Sequence, residues 1–209
     1  MPHISEAKEA LQRLIDGNQR FAANLRNKEA LSSSKRAELV YGQEPFAVIV
    51  GCSDSRVPAE IVFDQGLGDL FVIRVAGNIV APSQVGSVEF AISRFKTRLV
   101  VVMGHSNCGA INATIDELLN GSNSGSVNIK SIVDRVKPAV QSLMCNAAHM
   151  NIDDLQDQAV RANVRASVQH LKTGSAILEQ AVLNNELLIV GAEYSLESGI
   201  VEFFDGVPA

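Results

Sequence analysis

Along residues 5–26, apolar positions recur at helical spacing: Leu11, Leu14 and Ile15, then Phe21 and Ala22, with charges filling the other face. The spacing predicts an amphipathic helix. Ser32 to Ser34 offer N-caps for a second short helix reaching about Val40, and "YGQEP" then breaks it with Gly42 and Pro45.

From residue 46 the period changes. Short runs rich in Val, Ile and Leu appear as "FAVIVG" (46–51), "LFVIRVAG" (70–77), "LVVVMGH" (99–105) and "LLIVGAEY" (187–194). Helix-length segments lie between them: "SQVGSVEFAISRF" (83–95), "GAINATIDELL" (109–119) and a long helical region from Val127 to Leu183. Near-continuous apolar strands separated by helices predict an α/β fold, with a mostly parallel central sheet covered on both faces. A last run, "GIVEFFDG" (199–206), follows after so short a turn that it predicts an antiparallel edge strand beside the four parallel ones. "NGSNSGS" (120–126) reads as a loop. With no repeat and no boundary signal, residues 1–209 are expected to form a single domain, with a helical arm over 1–40 and an α/β core over 46–209.

Each parallel strand ends in a small or reactive residue: Gly51-Cys52, Ala76-Gly77, Gly104-His105 and Gly191-Ala192. Open α/β sheets bind ligands beyond the carboxyl ends of their strands, where strand order reverses. Reactive groups therefore stand where this architecture predicts a site. "GCSDSR" (51–56) sets a thiol, a carboxylate and a guanidinium close together, and "MGHSNCGA" (103–110) adds His105 and Cys108 at a second strand-to-helix transition.

Composition narrows the use of these groups. The chain of 209 residues is 46% hydrophobic and 20% charged, a globular profile. Its net charge of −5, with no cluster of Lys and Arg, argues against a nucleic-acid surface. No apolar run is long enough to span a bilayer, and the N-terminus lacks the basic-then-apolar pattern of a secretion signal, so a soluble, cytoplasmic protein is expected. Three cysteines make a disulfide framework unfavourable and leave metal binding or catalysis as the better use.

Cys52, His105 and Cys108 suit zinc, which takes thiolate and imidazole together in tetrahedral geometry and keeps one position open where it is catalytic. Two thiolates cancel the zinc charge, so such a site needs help from its surroundings to acidify water. Asp54 can serve as a fourth ligand or as a hydrogen-bond acceptor beside the metal, and the Arg56 fork can hold it away from the metal. Cys145, in "PAVQSLMCNAAHM", is expected to be an inert small hydrophobe. His3, His149 and His170 have no companions and are read as ordinary solvated or satisfied residues.

"CSDSR" followed by "GHSNCGA" resembles the β-class carbonic anhydrases, whose motifs are C-x-D-x-R and H-x-x-C. The resemblance extends to "ALQRLIDGNQRF", "RVPAEIVFDQGLGDLFVIRVAGN" and "YSLESGIVEFF". It implies reversible hydration of carbon dioxide to bicarbonate by zinc-bound hydroxide, with one zinc per chain on Cys52, His105 and Cys108. It also implies an Asp54–Arg56 dyad that orients the nucleophile and gates the metal, Asp54 being a ligand only in a closed state. A substrate pocket near Gln43, Phe71 and the Gly109 amide is implied too. The implied assembly is a homodimer or homotetramer whose projecting N-terminal helices wrap a partner and whose pocket is completed across the interface.

Two positions depart from the family. Val75 stands where Asn is frequent, which implies altered packing. Ile49 stands where some bacterial members carry a Trp of a non-catalytic bicarbonate site, so that inhibition is not expected here. Three classes compete on the residues: a zinc hydro-lyase, active on carbon dioxide or on an analogue such as carbon disulfide; a nucleophilic or redox enzyme using Cys52; and a non-enzymatic zinc module permanently closed by Asp54. Against the second, Cys108 would go unexplained.

Overall fold

The computed structural model describes residues 2–25, 33–122 and 125–208. Ser32, residue 26 of the first helical stretch and residues 123–124 of the loop lie outside them. Five strands form one sheet in the order β2-β1-β3-β4-β5: β1 Ala47–Gly51, β2 Leu70–Arg74, β3 Leu99–His105, β4 Leu188–Tyr194 and β5 Val201–Asp205. The first four are mutually parallel and β5 pairs antiparallel with β4. This is the α/β architecture expected from the alternation of apolar runs and helices. All five residues of β1 and all seven of β3 are buried, as central strands covered on both faces must be.

Side-chain alternation divides the core. Ala47 and Ile49 of β1, with Val101 and Met103 of β3, face helices α1 (Pro2–Ala22) and α3 (Ala59–Val62). Val48 and Val50, with Val100 and Val102, face α4 (Pro82–Phe95), α7 (Ile152–Thr173) and α8 (Ala176–Leu183). A third cluster gathers Cys52 and Cys108 with side chains of α5 (Gly109–Asn120), α6 (Val127–Gln141) and α7 beyond the strand ends.

The N-terminal arm comprises α1 and the short α2 (Ser33–Glu38), which runs into a 3-10 turn over Leu39–Tyr41. Helix α1 does more than project, because it covers one face of the chain's own sheet. Its Ala7, Ala10, Leu11 and Leu14 are buried there, and the two leucines contribute about 1.5–3 kcal/mol each. Gly17 permits the approach: a Cβ at that position would stand 1.9 Å from the Phe63 carbonyl oxygen.

The long helical region from Val127 to Leu183 is not continuous. Pro138 removes a donor near the end of α6, and a 3-10 segment over Ser142–His149 follows. Asn151 then caps α7, its side-chain oxygen accepting from the Asp154 amide, and Gly174 ends that helix. Ser175 caps α8 in the same way through the Leu178 amide. Among the described residues, no helix is long and apolar enough to cross a membrane.

Candidate metal centre

Strand order reverses between β1 and β3, since the chain leaves β1 toward β2 on one side and continues through β3 on the other. The register pairs Gly51 with Met103, which brings Cys52 and His105 to the same end of adjacent strands. Cys108 precedes the first turn of α5 and completes the group. The ligating atoms of Cys52, His105 and Cys108 all lie within 4.8 Å of one another, with the two sulfurs 4.0 Å apart. His105 is fully buried, and the cysteines are 5% and 1% exposed.

Each side chain is prepared for a soft cation. His105 Nδ1 lies 2.9 Å from the Ser106 carbonyl oxygen, and as the donor there it leaves the Nε2 lone pair bare. Among the described residues Nε2 is buried without a hydrogen-bond partner of its own, an arrangement that costs stability unless a ligand completes it. Cys52 Sγ accepts from the amides of Asp54 and Gly77, each at 3.4 Å.

The two sulfurs are close enough for one thiol to donate to the other. The Cys108 thiol, pointing at Cys52, is the main reason that the Cys52 pKa is lowered to about 4. The amides of Asp54 and Gly77 add to this against the effect of burial. Cys108 is pushed far up by the same contact and by its own burial. Two sulfurs in contact beside a buried imidazole nitrogen are a donor set that fits zinc.

Asp54 and Arg56 stand at the mouth of the cluster. Arg56 Nε and Nη2 donate to the two carboxylate oxygens at 2.9 and 2.7 Å, and the Arg56 amide donates to Oδ1 at 3.0 Å. These bonds hold the Asp54 carboxyl well below the usual carboxylate range. Asp54 Oδ2 is also 3.9 Å from His105 Nε2. Arg56 Nη2 donates to the Asn107 carbonyl oxygen at 3.3 Å, which ties the two sequence motifs together directly. Gly109, the first residue of α5, lies beside Cys108.

The remaining positions fall elsewhere. Phe71 pairs with Val48, about 13 Å from Cys52 at strand rise, and packs against Phe90 and Phe95. Gln43 precedes β1 altogether and lines a hollow of about 620 Å³ with Leu39, Tyr41, Leu67 and Phe95. Within one chain, therefore, neither residue meets the metal cluster. Val75 packs against the cluster of Cys52 and Cys108, while Ile49 is buried under the opposite face of the sheet. Cys145, expected as a small hydrophobe inside a helix, is exposed on the 3-10 segment.

Sequence reading missed Arg74. Its Nε donates to the Cys52 carbonyl oxygen at 2.9 Å and its Nη2 to the Asp54 carbonyl oxygen at 2.6 Å, pinning the loop that carries both groups. The one available signal was an arginine interrupting the apolar run "LFVIRV".

The chain resembles known proteins along most of its length. Residues 47–201 match the family model described as carbonic anhydrase. It is 38% identical to carbonic anhydrase 2 of Mycobacterium tuberculosis (strain H37Rv) over 190 residues, covering 91% of this chain and 89% of that protein. It is 39% identical to a carbonic anhydrase of Mycolicibacterium smegmatis over 193 residues, covering 92% and 91%. The solved structure of the beta-carbonic anhydrase CcaA superposes with a TM-score of 0.75 at 27% identity, over 96% of this chain and 93% of that one. The cysteine–histidine–cysteine cluster at the strand-order reversal and the relatives thus lead to one place: the chain belongs to the carbonic anhydrase family, in its β class.

Proposed function

We propose that the chain interconverts carbon dioxide and bicarbonate at a zinc held by Cys52, His105 and Cys108. The observation that carries this reading is the convergence of two thiols on a buried imidazole nitrogen that has no hydrogen-bond partner among the described residues. Zinc bound there supplies Lewis acidity, which makes a nucleophile of water near neutral pH.

The chain's own residues do the rest. Asp54, kept ionised by Arg56, accepts a hydrogen bond from the attacking water and fixes its orientation. So strongly acidic a carboxyl acts as an acceptor and does not store the proton, which passes to solvent. While Arg56 holds both Asp54 oxygens, Asp54 would be kept off a bound metal; released from Arg56, it would serve as a fourth ligand. The Gly109 amide, in the first turn of α5 where backbone N–H groups have no intrahelical acceptor, would donate to a substrate oxygen. A homo-oligomer supplies what one chain lacks: Phe71 on β2, an edge strand among the described residues, and Gln43, which shares its hollow with exposed Val40, Tyr41 and Leu67, would wall the pocket of a second copy.

The test is zinc content per chain together with stopped-flow hydration of carbon dioxide from weakly acidic to weakly alkaline pH. One zinc per chain with turnover is expected. Full zinc occupancy without turnover at any pH would make the site a structural zinc module.

A further inference from the structure

Helix α7 buries Val160, Val164, Val168 and Leu171 as an apolar stripe at helical spacing. Two polar residues interrupt the stripe, Asn163 at 2% exposure and Ser167 at 5%. A buried amide or hydroxyl is costly unless it finds a partner, and both find one in the same place. Asn163 Nδ2 donates to the Gly77 carbonyl oxygen at 2.8 Å, and Ser167 Oγ donates to the Asn78 carbonyl oxygen at 3.3 Å. Those carbonyls belong to the 3-10 turn Ala76–Asn78, where Gly77 (φ 69°) and Asn78 (φ 42°) both occupy left-handed backbone. The Gly77 amide is the one that meets Cys52 Sγ.

The helix reaches this turn because the strands beneath it carry no side chain in its way. A Cβ on Gly104 would stand 2.7 Å from Val164 and 2.9 Å from Val160, and a Cβ on Gly191 would stand 2.8 Å from Val164. Gly77 itself has many backbone conformations open to it, so its amide keeps one direction only if the turn is clamped from outside.

We propose that Asn163 is a positioning residue for the metal centre: by holding the Gly77 carbonyl it fixes the Gly77 amide on the Cys52 sulfur, and so sets how tightly that thiolate holds zinc. The proposal rests on the zinc reading given above. An N–H bond to a thiolate draws charge from the sulfur. Without it the sulfur is no longer held in one direction, and supporting contacts of this kind change metal affinity by about 10–100-fold.

The experiment compares wild-type protein with Asn163→Leu, which keeps the branched shape but not the donor, with Asn163→Ala, and with Val168→Ala. The last truncates the core under the same helix without touching the turn. Zinc release to a chelator and the thiolate-to-metal charge-transfer band of the cobalt-substituted protein are measured beside Tm. Both Asn163 variants are expected to release zinc about tenfold faster than wild type and to shift the band to lower energy. Val168→Ala is expected to lower Tm while leaving the release rate and the band unchanged.

Wild-type release and band in the Asn163 variants would overturn the proposal, as would the same shifts in Val168→Ala. If neither Asn163 variant folds, wild-type protein loaded with an NMR-active cadmium isotope decides. The Gly77 amide proton is expected to couple to the metal through Cys52, and the lack of that coupling would overturn the proposal. A wild-type protein that takes up no zinc would overturn the site reading itself, before any variant is compared.

Discussion

Both carboxylate oxygens of Asp54 are engaged by Arg56, yet this ion pair does little for stability. Half of the Arg56 side chain is open to solvent, where such a pair is screened. Its value lies in orientation. The Arg56 hydrogen bonds are the main reason that the Asp54 pKa lies low, so removing them lets it rise toward the ordinary carboxylate value. A depressed carboxylate pKa keeps the group charged down to acid pH, and a risen one loses the charge earlier as pH falls. Arg56→Ala is therefore expected to retain zinc, to lose turnover by about 10²–10⁴-fold, and to move the acid limb of the stopped-flow pH profile to higher pH. Unchanged turnover would remove Arg56 from the mechanism. At this scale the sequence was informative where neighbours in space are neighbours in sequence, as Asp54 and Arg56 are. It was silent on Arg74 and Asn163, whose contacts with the site depend on strand register and on helix packing.

Among the elements, α1 and α7 repay comparison. The periodicity of Leu11, Leu14 and Ile15 foretold an amphipathic helix, but nothing in a single helix says which surface will receive its apolar face. Here that surface is the chain's own sheet, and the contact turns on Gly17. Alanine in a helix interior is ordinarily worth about 0.5–1 kcal/mol over glycine. At Gly17 the sign is expected to reverse, because the added methyl would collide with the Phe63 carbonyl oxygen. Gly17→Ala is expected to cost about 1–3 kcal/mol in thermal denaturation while zinc content is unchanged, since α1 and the metal ligands Cys52 and Cys108 lie in separate core clusters. The division of the stretch from Val127 to Leu183 was not legible as a pattern. Its apolar spacing is helical almost throughout, and the breaks come from a missing donor at Pro138 and from caps at Asn151 and Ser175.

At the scale of the whole molecule, the alternation of apolar runs and helices already implied a parallel sheet with its chemistry at the strand ends. Strand order could not be read in the same way, because order is a choice among crossovers that all satisfy the same apolar pattern. That order seats Cys52 and His105 together and sends Gln43 and Phe71 to the far end. If those two residues serve a second copy, chains of Gln43→Ala and Cys52→Ser should complement each other. Mixed oligomers are expected to show more turnover per chain than either variant alone, and purely additive rates would place Gln43 outside any pocket. The bonds from Arg56 to Asn107 and from Arg74 to the Cys52 loop have a consequence for how the protein meets its metal. Both bonds are made by the chain to itself, so the loops that carry the ligands are held by contacts besides those to an ion. Stripping zinc with a chelator is therefore expected to leave the helix and strand content read by circular dichroism unchanged, unlike in domains where the ion is itself the keystone of folding.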